Sequence, residues 1–257
     1  MPFDWSQKVL FITGASSGIG RSLAVELGRR GAALGLLARR ADTLLEIVCE
    51  VEEAGGRALA LPADVKDAEA VRAAATQLRA KFGRIDVLVA NAGIGMTTDA
   101  RDLRADEVAN VINVNVLGAV NSVTAALPEM IDQKSGQVVV ISSLAAYRGL
   151  PKSAAYCASK AAVSAFFESL RVDLRGSGVD VTIIHPGFIK TPLTAGREAQ
   201  MPFLMELGDA VKKIIRAIEA RRKTYAFPWQ LATIVRAAML FPVPLYDRII
   251  VKRSYRE

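Results

Sequence analysis

Tyr156 and Lys160 stand four residues apart in Ala155-Tyr156-Cys157-Ala158-Ser159-Lys160. On a helix this spacing puts both on one face, about 6 Å apart along the axis. A lysine cation beside a phenol favours the phenolate and lowers its pKa from about 10. The pair would then be a proton donor and acceptor usable near neutral pH. Ser143 closes an apolar run, and its hydroxyl could donate to a developing oxyanion. Taken singly, each residue has a plainer reading: a surface pair for Tyr156 and Lys160, a turn or helix cap for Ser143.

Near the start of the chain, Thr13-Gly14-Ala15-Ser16-Ser17-Gly18-Ile19-Gly20 follows an apolar run and opens an amphipathic one. Glycine lets a backbone turn sharply and approach a pyrophosphate, whose charge a helix N-terminus favours. A plain strand–helix turn has similar composition, but the position at the first such junction favours a nucleotide cradle. The next apolar run ends Leu36-Leu37-Ala38-Arg39-Arg40. An acid at that point would bind the ribose 2′-hydroxyl of NAD, whereas a guanidinium suits the 2′-phosphate of NADP. Arg39 and Arg40 therefore point to NADP(H), with a solvated charge pair opening a helix as the plain alternative.

These residues need a scaffold, and short apolar runs alternating with longer amphipathic ones supply it. Strands are expected at 9–13, 33–38, 57–61, 86–90, 137–142 and 179–185, with a seventh at 224–227. Helices are expected at 18–30, 42–54, 67–82, 105–131, 154–174 and 209–220. The strands are continuous Val/Ile/Leu/Ala runs, the pattern of a parallel sheet covered on both faces. Strand–helix alternation throughout gives one α/β doubly wound domain. The longest uncharged stretch, 108–128, is long enough to span a bilayer. It carries Asn110, Asn113, Asn115 and Asn121, so a buried helix of a soluble fold is the better reading.

In order, the motifs are Thr13-Gly14-x-x-x-Gly18-x-Gly20, Asn91-Ala92-Gly93, Asn115, Ser143, Tyr156-x-x-x-Lys160 and Pro186-Gly187. Together they resemble the short-chain dehydrogenase/reductase family over about Lys8 to Thr194. The resemblance implies a single-domain Rossmann-type sheet and a hydride-transferring oxidoreductase acting on a carbonyl or secondary alcohol. It makes Tyr156 the general acid/base. Lys160 becomes the residue that tunes the phenol and holds the nicotinamide ribose. Ser143 becomes the carbonyl-oxygen donor, and Asn115 the holder of a relay water. Gly14, Ser16, Ser17, Gly18, Ile19 and Gly20 would cradle the pyrophosphate. Asp64 and Val65 would meet the adenine, and Asn91, Ala92 and Gly93 would line the cofactor. After Pro186-Gly187, Ile189 and Thr191 would orient carboxamide and pyrophosphate. Many NADP-using members carry a basic residue where this chain has Ser17, so Arg39 and Arg40 would bind the 2′-phosphate without that help, and NAD(H) is the alternative cofactor.

Composition narrows the remaining classes. Two cysteines, Cys49 and Cys157, exclude a disulfide framework, and a single histidine, His185, leaves no expected metal site. Cys157 reads as a small buried residue, and His185 as structural or a neighbour of the cofactor loop rather than a catalytic base. No export signal follows Met1, so a cytoplasmic protein is expected. The net charge of +7 is uneven: residues 212–257 carry +8 and the rest −1, which argues against a nucleic-acid-binding face. Met201, Pro202, Phe203, Leu204 and Met205 either cover an apolar ligand or form a short helix on the body.

Residues 1–228 are expected to be the nucleotide-binding and catalytic domain, and 229–257 an apolar, basic-ended helical extension. Arg236 is the sole charge between Phe227 and Tyr246. Such a segment must bury itself against the body, against a partner in a homodimer or homotetramer, or at a membrane surface. Similar tails in relatives of steroid and lipid carbonyl reductases suggest a lipophilic small-molecule substrate. The competing reading is a non-catalytic nucleotide-binding or membrane-surface protein on the same fold.

Overall fold

Each apolar run forms a strand, and all seven join one parallel sheet. The strands are β1 (Val9–Thr13), β2 (Ala33–Ala38), β3 (Arg57–Pro62), β4 (Val87–Ala90), β5 (Gly136–Ile141), β6 (Val179–Pro186) and β7 (Thr224–Phe227). Their spatial order is β3-β2-β1-β4-β5-β6-β7. The computed structural model describes residues 3–196 and 201–254, with side chains placed up to residue 250.

Successive strand residues face opposite sides, and here each side has its own core. Leu10, Ile12, Leu34 and Leu36 pack under α1 (Gly18–Gly28), α2 (Ala41–Glu53) and α7 (Leu207–Glu219). Val9, Phe11, Leu37 and Leu88 pack under α3 (Ala68–Phe82), α5 (Gly118–Asp132) and α6 (Ala154–Asp173). Burial on both faces explains why the strands are unbroken apolar runs. The chain builds outward from β1 through β2 to β3, then returns to place β4 on the other side of β1. The strand ends beside that reversal are where such sheets bind ligands.

Local chemistry fixes the helix ends. Asp67 caps α3 by accepting from the Ala70 N–H at 3.0 Å. Gly83, in the left-handed region at φ 89°, ends the helix by donating its N–H to Arg79 O.

The single helix expected over 105–131 is interrupted. It forms α4 (Ala105–Ile112), a π turn (Asn113–Leu117) and α5. The amide of Asn115 explains the widened turn. Its Oδ1 accepts from Ile94 N at 2.8 Å, and its Nδ2 donates to Ile94 O at 3.0 Å and Ser159 Oγ at 2.9 Å. An extra residue in the turn aims this side chain inward, a device that recurs at functional sites. By length and composition Ala105–Asp132 could cross a membrane. It is instead a core element here: Ala119, Val123, Ala126 and Met130 are buried against the sheet, and Asn121 donates to Val65 O.

One expectation about the end of the chain needs correction. Residues 201–205 form no helix: Met205 pairs with Ile189 in an isolated parallel bridge, while Phe203 is exposed. The body covers little of the extension, so of the three expected burial partners it is not the main one. The extension forms α8 (Trp229–Met239) and α9 (Val243–Ser254), but only Leu231 and Ala232 are buried among residues 229–250. They pack with Leu144, Tyr147 and Phe188 in a small separate cluster. Arg256 lies outside the described residues, and Lys252 and Arg253 are described by backbone only.

Candidate active site

The sites expected from the sequence gather at the C-terminal ends of β1, β2, β4, β5 and β6. After β1 the glycine loop is held tightly. A Cβ on Gly14, at φ 66°, would stand 2.7 Å from Ala92 Cα, and one on Gly20 would stand 2.3 Å from Gly14 O. Asn91 is the brace: its Nδ2 donates to Thr13 O at 3.0 Å and Gly14 O at 3.2 Å. Thr13 Oγ1 in turn accepts from Asn91 N and Ala92 N. Gly18 faces Thr191, whose side chain lies 3.6 Å from the position a Cβ would take there. The loops after β1, β4 and β6 thus converge.

At the end of β2, Arg40 donates to Ser16 O and Ser16 Oγ, each at 3.1 Å, and Arg39 is exposed beside it. A guanidinium therefore stands over the cradle. Asp64 accepts from Lys66 N in a tight turn at the end of β3, and Val65 is buried against Gly118. Gly187 allows close packing, since a Cβ would come 2.9 Å from Leu231 Cδ2, and Pro186 ends β6. Ile189 is buried in the core. Gly93 sits against the catalytic candidates: a Cβ there would be in van der Waals contact, 3.4 Å from Asn115 Oδ1 and 3.5 Å from Lys160 Nζ. A tight glycine loop, a guanidinium over it and a glycine against Lys160 and Asn115 fit a nicotinamide dinucleotide.

Ser143 follows β5, and its Oγ accepts from Ala145 N at 3.1 Å. The side chain therefore does cap a turn, and it also hydrogen-bonds with the Tyr156 phenol. Tyr156 and Lys160 share one face of α6, with Lys160 Nζ 5.8 Å from the Tyr156 ring centroid. Lys160 is buried and donates to Ile141 O at 2.8 Å. Burial lowers its pKa to about 8.

The expectation that Lys160 lowers the phenol pKa is corrected by this geometry. Burial pushes the Tyr156 phenol above its ordinary value, and what pulls it back is the Ser143 hydrogen bond. The ammonium is turned toward Ile141 O rather than the phenol oxygen. Cys157 is buried and its thiol is pushed up by desolvation, consistent with a packing role.

Sequence reasoning missed a support beneath Lys160. Its backbone carbonyl accepts from Ser142 Oγ at 3.1 Å and Ser164 Oγ at 2.9 Å, and the two hydroxyls lie 2.7 Å apart. Ser164 also meets His185 Nε2 at 3.2 Å. The only local signal is Ser164 at four residues beyond Lys160; Ser142 and His185 arrive from other strands.

A family model described as short chain dehydrogenase matches residues 8–202. An uncharacterized oxidoreductase of Myxococcus xanthus (strain DK1622) is 46% identical over 244 residues, covering 95% of this chain and 96% of that one. The 11-beta-hydroxysteroid dehydrogenase A of Sesamum indicum is 40% identical over 198 residues, 76% of this chain, but the match spans only 56% of that protein. Among solved structures, a short chain dehydrogenase from Mycobacterium paratuberculosis bound to NAD superposes with a TM-score of 0.80 at 27% identity, covering 87% of this chain and 97% of that one.

Proposed function

The chain belongs to the short-chain dehydrogenase/reductase family, and on that premise we propose that it is an NADP(H)-dependent reductase of lipophilic carbonyl compounds, or dehydrogenase of the corresponding secondary alcohols. The observation that carries this reading is the meeting of Ser143, Tyr156, Lys160 and Asn115 beside the glycine loop and Arg40. The bound nicotinamide would supply or take the hydride.

The chain's own residues would do the rest. Ala145 N–H engages Ser143 Oγ as an acceptor, and the hydroxyl proton, directed at the Tyr156 phenol in the free protein, would turn to a bound carbonyl oxygen. Tyr156 would deliver the proton to that oxygen in reduction and remove it in oxidation. Lys160, which has no side-chain anion beside it among the described residues, would donate to the nicotinamide ribose. The amide of Asn115 is committed to Ile94 and Ser159, so a relay water would be held through its backbone. Arg40, with Arg39, would meet the 2′-phosphate, and Ser16 and Ser17 the pyrophosphate. Asp64 and Val65 would flank the adenine, and Ile189 and Thr191 the carboxamide side.

Apolar side chains near the site support a lipophilic substrate. Tyr147 and Phe188 are half-buried beside Leu144, and Leu193 packs 3.0 Å from the Cβ position of Gly95, joining the loops after β4 and β6. The steroid dehydrogenase named for the Sesamum indicum relative agrees in kind. We assign catalysis to residues 1–228 and a separate role to the extension. Self-association as a homodimer or homotetramer is supported by exposed Leu117, Phe166 and Val172, from the π turn and α6, which pack on each other. Two unpaired cysteines suit a reducing, cytoplasmic setting.

The test is a screen of apolar ketones and alcohols, following NADPH absorbance. NADPH should be preferred to NADH, and Arg40→Ala should weaken NADPH binding by about tenfold or more while leaving NADH little changed. Equal affinity of the native protein for both cofactors would reject the NADP(H) assignment.

A further inference from the structure

The extension does not cover its own apolar residues. Trp229 is 71% exposed and Leu240 85%, and Ile234, Met239, Val243 and Leu245 are exposed with them. Most cluster around the turn between α8 and α9, a far denser grouping than scattered surface apolars. The hairpin is nevertheless held in place. Arg148 donates to Ala238 O, in the last turn of α8, and to Phe241 O, in the turn that follows. Its guanidinium lies 3.9 Å from the Tyr246 ring centroid, and Tyr246 OH donates to Gly149 O. The seat is therefore the segment that begins at Ser143.

Length and charge decide what this surface meets. Eleven and twelve residues make helices about 17 and 18 Å long, too short for a hydrocarbon core of about 30 Å. The segment can lie on a bilayer but not span it. Residues 229–257 hold five basic and two acidic residues, within the stretch 212–257 that carries the chain's positive excess. Two copies pairing this face would bring net positive charges together, which disfavours it, whereas anionic headgroups would neutralise them while the apolar turn enters the acyl boundary.

We infer that residues 229–250 are a docking surface for an anionic lipid bilayer, seated on the loop that follows Ser143. Docking itself does not depend on the catalytic reading. Its consequence, that a lipophilic carbonyl reaches Ser143 and Tyr156 from the bilayer, rests on the proposed function.

The full-length protein should co-sediment with phosphatidylcholine vesicles that contain phosphatidylserine, and bind pure phosphatidylcholine or the same vesicles in high salt at least tenfold more weakly. Each basic residue near an anionic surface contributes about fivefold. Leu240→Glu and Val243→Glu, at exposed positions, should leave circular dichroism and turnover of a water-soluble ketone unchanged and reduce vesicle binding about tenfold or more. Failure of the native protein to sediment, or equal sedimentation of Leu240→Glu, would overturn the proposal. So would dissociation of a native oligomer by Leu240→Glu in sedimentation velocity, which would make the surface a subunit interface. A chain that binds vesicles yet reduces no carbonyl would keep the docking surface and reject the catalytic reading instead.

Discussion

Ser143 can cap a turn and serve a substrate because a hydroxyl accepts and donates at once. Tyr156 has no such division of labour: its one proton is its function. Tyr156→Phe keeps the ring and removes that proton, so turnover should fall by about 10²–10⁴-fold while NADPH binding stays nearly intact. The same variant isolates the phenol in a titration. Burial favours the neutral phenol, so the free native protein, measured against Tyr156→Phe by ultraviolet difference absorbance, should ionise this group above the usual tyrosine value. A phenolate already formed near neutral pH would show that Lys160 acts on it as its spacing first suggested. Spacing alone made Tyr156 and Lys160 legible, because i and i+4 share a helix face whatever the fold. It could not show that Lys160 faces Ile141 O, nor that Asn91 braces Gly14, because those partners come from other strands.

At the scale of elements, β2 and β7 form over the expected residues, since an apolar run between polar flanks has one way to enter a covered parallel sheet. The helix over 105–131 was not legible in detail. Its composition is uniformly helical through Asn115, and the π turn arises from a contact with Ile94 that is set by tertiary structure. The glycine loop shows the reverse case, where sequence and packing agree. Gly20→Ala would put a Cβ 2.3 Å from Gly14 O and 2.7 Å from Asn91 Nδ2. Backbone cannot yield as a flexible side chain can, so the loop should shift. NADPH affinity should drop at least tenfold, with a stability loss of about 1–3 kcal/mol in urea melts. Gly208→Ala, in the first turn of α7 with open space around it, is the matched control and should be neutral or stabilising by up to about 1 kcal/mol. If both variants bind NADPH alike, the tight loop is not the cradle.

For the whole molecule, composition located the charge imbalance but not where the apolar tail would go, since a count of apolar residues says nothing about which neighbours cover them. The body and the extension meet at His185, the one histidine of the chain. It is buried at the end of β6, with its ring 5.0 Å from Tyr147 and its Nδ1 without a hydrogen-bond partner among the described residues. Arg236 of α8 and Lys160 of α6 add positive charge around it, and burial with these two lowers its pKa to about 4. An unfolded histidine titrates near 6.5, so between about pH 6.5 and 4 the unfolded chain binds a proton that the folded one refuses. Stability is then fully present above pH 6.5 and declines as pH falls toward 4. The loss from pH 7 to pH 5 should reach about 2 kcal/mol. Most unfolded carboxylates titrate below that window, so the slope there belongs to His185. Urea midpoints measured from pH 7 to 5 should fall for the native protein and stay level for His185→Gln, which retains hydrogen-bonding capacity without a titrating ring. A native curve that is flat over this range would mean that the imidazole accepts its proton in the folded state, and that the junction between body and extension is wetter or more open than its packing indicates.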